Sequence, residues 1–242
     1  MLVIAFLFVL IYLYMENILI NQKGYNSKIF KFAYTLFKTH WKALVGMAII
    51  LLVFNILPEF LEESFVINVA VSIISGYITV GFMKTMLMLV DGKEVNVKDI
   101  FTSITSREFL ITVGVYVLGG LLTLIGFLLL IVPGIIISLG LSQAIYIVLD
   151  KKLGVIKSLK HSWQITKGHK MEIFSVGIHA AVVLLVGLLV VGVGLLVAMP
   201  IAYIMYAKVY RDLSLLGHED GEKEAMVDAE DIEVVREDTE QE

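Results

Sequence analysis

At 242 residues, with 58% hydrophobic and 17% charged positions and a mean hydropathy of +0.88, the chain is too apolar for a soluble globular fold. It has no cysteine, which excludes disulfides, thiolate catalysis and cysteine-bound metal. The net charge of −4 hides a division: residues 217–242 hold 12 acids against Lys223 and Arg236, while the remaining body carries a net +6.

Apolar segments fall near 2–20, 41–57, 65–84, 109–131, 133–149, 172–191 and 193–210. They predict an all-α, polytopic transmembrane helical bundle of six core spans plus an N-terminal one, with cytoplasmic interfacial amphipathic helices. The organisation expected is a hydrophobic anchor over 1–22, a membrane domain over 23–213 and an acidic, disordered tail over 214–242. The first segment, "MLVIAFLFVLIYLYMENILI", has neither a basic n-region nor a small-residue cleavage site. It is expected to be a retained anchor with its N-terminus outside, a short interfacial helix being the other reading.

Next, residues 21–42 hold Lys23, Lys28, Lys31, Lys38 and Lys42 without an acid, whereas "PEFLEES" at 58–64 has three acids and no base. Residues 150–171 repeat the basic pattern, with six lysines against Asp150. Positive loops stay inside, so 21–42, 91–108, 150–171 and the tail are expected on the cytoplasmic side of a cell membrane crossed several times. Lys84 is expected near the inner boundary with its stem snorkelling, and "MLMLV" after it as an extension along the surface. Residues 109–149 form 41 uncharged positions, enough for two crossings turned at Pro133-Gly134.

Two basic stretches match at an offset of 129: "KIFKFAYTLFKTH" from Lys28 and "KSLKHSWQITKGH" from Lys157. Lys28, Lys31, Lys38 and His40 fall on Lys157, Lys160, Lys167 and His169, the mark of an internal, parallel repeat. At helical spacing the lysines form one stripe, opposite Ile29, Phe30, Ala33 and Phe37 in the first copy and Leu159, Trp163 and Ile165 in the second. That is the pattern of helices lying in the headgroup plane, with Trp163 at interfacial depth and Gly168 turning the chain into the next span. The candidate lipid-binding residues are therefore Lys28, Lys31, Lys38, Lys157, Lys160, Trp163 and Lys167. Each lysine near an anionic leaflet contributes about 1 kcal/mol.

Among intramembrane polar groups, His179 shares a helix face with Glu172 and Ser175, and Gln143 lies on another span. A proton relay or substrate contact is one reading. The other is a neutral histidine satisfied by Gln143 or a serine. There is no HExxH, GxSxG or phosphate-binding glycine loop, so no metal or cofactor is expected and an enzyme is disfavoured. The tail has the composition of a disordered acidic segment and is a candidate competitor for the basic helices or a protein-docking element. Nucleic acid is not an expected partner. Membrane lipids are, with anionic ones as candidates, and oligomerisation is left open.

The stretch "LIVPGIIISLGLSQAIYIVLDKKLGVIKSLKHSWQITKGHKMEIF" resembles the core of an uncharacterised prokaryotic family of six-span integral membrane proteins. It is also similar to the membrane region attached to some glycerophosphodiester phosphodiesterases. The resemblance covers roughly residues 27–213 and rests on Pro133, Gly134, Asp150, Ser162, Trp163, Thr166, Gly168, Phe174, Pro200 and Tyr210. It implies an architecture and carries no activity. The leading functional expectation is a non-enzymatic lipid-interacting or scaffold factor at the cytoplasmic leaflet. The alternative is a small transporter or channel component using polar groups around His179.

Overall fold

The structure, a computed structural model, describes residues 24–56, 65–189 and 193–216. The N-terminal segment 2–20, the acidic connection at 58–64 and the acidic tail lie outside the described residues. Within them the chain is predominantly helical, without a strand. In order come α1 (Tyr25–Ile56), α2 (Phe65–Val90), α3 (Asp99–Thr102), α4 (Ser106–Leu129), α5 (Ile131–Leu141), α6 (Ala144–Lys151), α7 (Val155–Ile165) and α8 (Lys170–Leu189). The last, α9, covers 195–216.

Among the described residues, five helical stretches are long and apolar enough to cross a membrane: α1, α2 from Val66, α4, Ile131–Lys151 and α8. Each overlaps an apolar segment read from the sequence, and a bilayer core needs about 20 residues of helix.

α1 unites the first basic stretch and the following apolar segment in 32 residues, broken only at His40, whose φ −114 and ψ 20 are non-helical. The matching stretch takes a fuller break. α7 ends at Ile165, Gly168 adopts φ +85, and α8 begins at Lys170. Only glycine enters that left-handed region without strain, which is why the turn sits there. α4 is started by a capping box: the Thr105 side chain accepts from the Glu108 amide while the Glu108 carboxylate accepts from the Thr105 amide, 2.8 Å. Thr105→Ala is expected to cost about 1 kcal/mol of stability, measurable by thermal unfolding in detergent.

The helices pack closely where side chains are small. α4 and α5 meet at Gly126 and Gly134; a Cβ on Gly134 would lie 2.4 Å from the Phe127 ring. α8 and α9 meet at Gly187, where a Cβ would lie 2.6 Å from that of Ala198. Small residues at a crossing let two helix backbones approach.

The core corrects one expectation. "MLMLV" does not run along the surface: Met86, Leu87 and Leu89 are buried, with Phe82 and Ile78, against Leu44 and Met47 of α1 and Ile201, Met205 and Tyr210 of α9. Gly81 sits under α3 so tightly that a Cβ would lie 1.9 Å from the Ile100 carbonyl oxygen. Hydropathy alone does not separate a lipid-facing apolar run from one covered by protein.

The span read at 133–149 lies within the apolar stretch Ile131–Lys151, which is long enough to cross. The helix breaks at Ser142-Gln143, between α5 and α6.

Candidate functional site

The basic stripes lie where the spacing puts them. Lys28, Lys31 and Lys38 are exposed along the first half of α1, and Lys157, Lys160 and Lys167 along and just after α7. Among the described residues none of these six enters an ion pair. Exposed aromatics accompany the α1 lysines: Lys38 lies 5.6 Å from the Tyr34 ring centroid and Lys42 5.9 Å from that of Trp41. An aromatic beside a lysine suits the boundary between headgroup and hydrocarbon.

The faces opposite the stripes differ from expectation. Ile29, Ala33 and Phe37 are buried within the protein, as are Leu159 and Ile165, so these apolar sides dock on the bundle rather than rest on acyl chains. α7 also buries a hydroxyl row one helical turn apart: Ser158, Ser162 and Thr166.

That row mends the α5–α6 break. Ser162 Oγ donates to the Gly140 carbonyl at 2.8 Å and accepts from the Gln143 amide at 3.2 Å. Thr166 Oγ1 donates to the same carbonyl, 3.1 Å. Irregular backbone inside an apolar bundle persists only where its freed groups find partners. The Trp163 ring lies across Gly140, so close that a Cβ there would be 2.4 Å from its edge. Lys170 Nζ stands 3.6 Å from the ring centroid.

His179, Glu172 and Gln143 are not brought together. His179 is buried and its Nδ1 donates to the Ser175 carbonyl of its own helix, 2.8 Å. Ser175 Oγ accepts from Asn26 of α1, 2.5 Å, and Glu172 pairs with His169, 2.8 Å. Gln143 is wholly buried; its Nε2 donates to Ser142 Oγ, 3.1 Å, and its Oε1 has no partner among the described residues.

Two charge clusters tie helix ends together. Glu108 lies 3.7 Å from Lys84 and 3.9 Å from Lys152. Lys84 Nζ also donates to the Leu149 carbonyl. Arg211 of α9 grips two carboxylates: Asp91 through Nε at 2.6 Å and Nη2 at 2.7 Å, and Asp150 through Nη1 and Nη2, both at 2.8 Å. Tyr210 adds a 2.6 Å bond to Asp150. A planar guanidinium makes such paired contacts and an ammonium does not. Sequence reasoning passed over Arg211 and Asp91. The available signal was the choice of residue: the chain has 16 lysines and only three arginines, Arg107, Arg211 and Arg236.

The described residues also line open clefts, two of which bear on function. One, of about 360 Å³, is lined by Asn55, Ser72, Ser75, Gly76, Thr79, Val80 and Tyr116 from α1, α2 and α4, with polar groups set in a partly apolar wall. The other, of about 240 Å³, lies between α5, α8 and α9 and is almost wholly apolar. Comparison of the chain with protein-family models, with curated proteins and with solved structures finds no match.

Proposed function

We propose that this chain is a six-span integral membrane protein that holds anionic phospholipid at the cytoplasmic leaflet, without enzymatic activity. α9 is the sixth span, and the lysine-bearing segments face the cytoplasm. The observation that supports this most is the pair of lysine stripes, exposed and without ion pairs among the described residues, on helices whose other sides dock on the bundle. The breaks at His40 and Gly168 turn each basic segment into a span, which sets its lysines against phosphate and its span among acyl chains. A fixed array of cations gathers anionic headgroups and orders the leaflet beneath the protein, the action of a lipid-organising scaffold.

The reading is tested by electron spin resonance of spin-labelled phosphatidylglycerol and phosphatidylcholine around the reconstituted protein. The wild type is expected to prefer phosphatidylglycerol. K157Q/K160Q/K167Q is expected to lose most of that preference, at about 1 kcal/mol per lysine at low salt. An unchanged preference removes the support for the stripes.

A second reading, a small transporter or channel component, draws on the polar groups in the cleft of α1, α2 and α4. It replaces His179, whose Nδ1 is committed to its own helix. On this reading a solute flux would fall in T79V and survive in H179A.

A further inference from the structure

Lys170 opens α8 with its ammonium on the face of Trp163, and no ion pair among the described residues claims it. The nearest acid in sequence, Glu172, is engaged by His169. The indole is fixed from below by Gly140, so the cation stands on a rigid platform. Beyond Lys170 on the same face of α8 follow Phe174, Ile178 and Ala181, at i+4, i+8 and i+11. These three form one wall of the apolar cleft, faced by Leu139 and Ser142 of the α5–α6 break and by Tyr206 of α9. Trp163, Phe174 and Ile178 are 39%, 40% and 38% exposed, so the cation and the cleft open on the same surroundings.

We infer that this is a seat for a single anionic phospholipid, its phosphate against Lys170 beside the Trp163 ring and one acyl chain in the cleft. A lone cation takes any phosphate and an apolar cleft takes any greasy group. Here the two stand end to end along a helix of membrane-spanning length, which selects an amphiphile with an anionic head. The inference rests on the proposed anionic-lipid function and goes beyond it: the stripes gather lipid without fixing a position, whereas the seat holds one molecule in a defined pose.

The chain has two tryptophans, Trp41 and Trp163, so W41F leaves Trp163 as its own reporter. The full-length W41F protein is reconstituted in phosphatidylcholine, with increasing fractions of phosphatidylglycerol or phosphatidylcholine carrying dibrominated chains, which quench indole fluorescence. Trp163 is expected to be quenched by brominated phosphatidylglycerol at a clearly lower fraction than by brominated phosphatidylcholine. K170Q raises that fraction about fivefold, the worth of one lysine at an anionic surface. A181F, which fills the cleft from an exposed position, abolishes the selectivity, whereas K28Q/K31Q/K38Q, on α1, preserves it. Neither inorganic phosphate nor dihexanoyl phosphatidylglycerol relieves the quenching. Equal quenching by the two lipids, selectivity that survives A181F, or displacement by phosphate alone overturns the seat. Failure of the stripes would appear separately, as absent spin-label selectivity around the whole protein.

Discussion

Arg211→Ala is expected to destabilise the protein by about 2–4 kcal/mol, seen as a lowered unfolding midpoint in detergent. The arginine holds Asp91 at the C-terminal end of α2 and Asp150 near the end of α6 onto α9. Its removal leaves two carboxylates, each about a quarter exposed, facing one another with only Tyr210 to donate to Asp150. Partial access of water keeps the cost below that of a fully buried pair. Arg211→Lys is expected to recover only part, because an ammonium cannot make both paired contacts. Asp91→Asn with Asp150→Asn in the Arg211→Ala background is expected to restore stability, since the unpaired charges are then gone. If Arg211→Ala unfolds with the wild type, the clamp does not hold the helix ends.

Ser162→Ala is expected to cost about 2–3 kcal/mol, because two buried backbone groups lose their partner at once. The Gln143 amide would have no acceptor, and the Gly140 carbonyl would keep only Thr166. Thr166→Val removes one of two donors to that carbonyl and is expected to cost about 1 kcal/mol. Hydrogen exchange gives the specific readout. The Gln143 amide, protected in the wild type, exchanges faster in Ser162→Ala and is unaltered in Thr166→Val. Equal protection in all three proteins contradicts the stitched break.

Local chemistry was legible in the sequence and long-range chemistry was not. The five membrane-length apolar helices emerged because hydrocarbon tolerates few charges, and the outward lysine stripes because helical period and charge agree along α1 and α7. The turn at Gly168 was readable because a glycine stood between a basic stretch and an apolar one. The buried side of α7 was misread: hydroxyls count as polar on a hydropathy scale, yet Ser162 and Thr166 are committed to backbone groups inside the bundle. The Ser142-Gln143 break left no mark because nothing in "SLGLSQAIYI" forbids a continuous helix; the partner that makes the break tolerable lies some 20 residues on, at Ser162. The Arg211 clamp joins residues 120 and 61 positions apart, a juxtaposition only the fold creates. The partners of His179 were open in the sequence for a similar reason, and its Nδ1 donates to the Ser175 carbonyl of its own helix. A shared helix face does not determine what stands opposite, and there Asn26 of α1 takes up Ser175. Asp150 and Tyr210, both singled out through the family resemblance, do meet.

The most direct test of the central claim is native mass spectrometry of the detergent-extracted full-length protein, recording which phospholipid classes it retains. The account predicts selective retention of anionic phospholipid, reduced in K157Q/K160Q/K167Q and reduced further when K170Q is added. Retention of zwitterionic and anionic lipid in the proportions of the source membrane, unaltered by these substitutions, would contradict it.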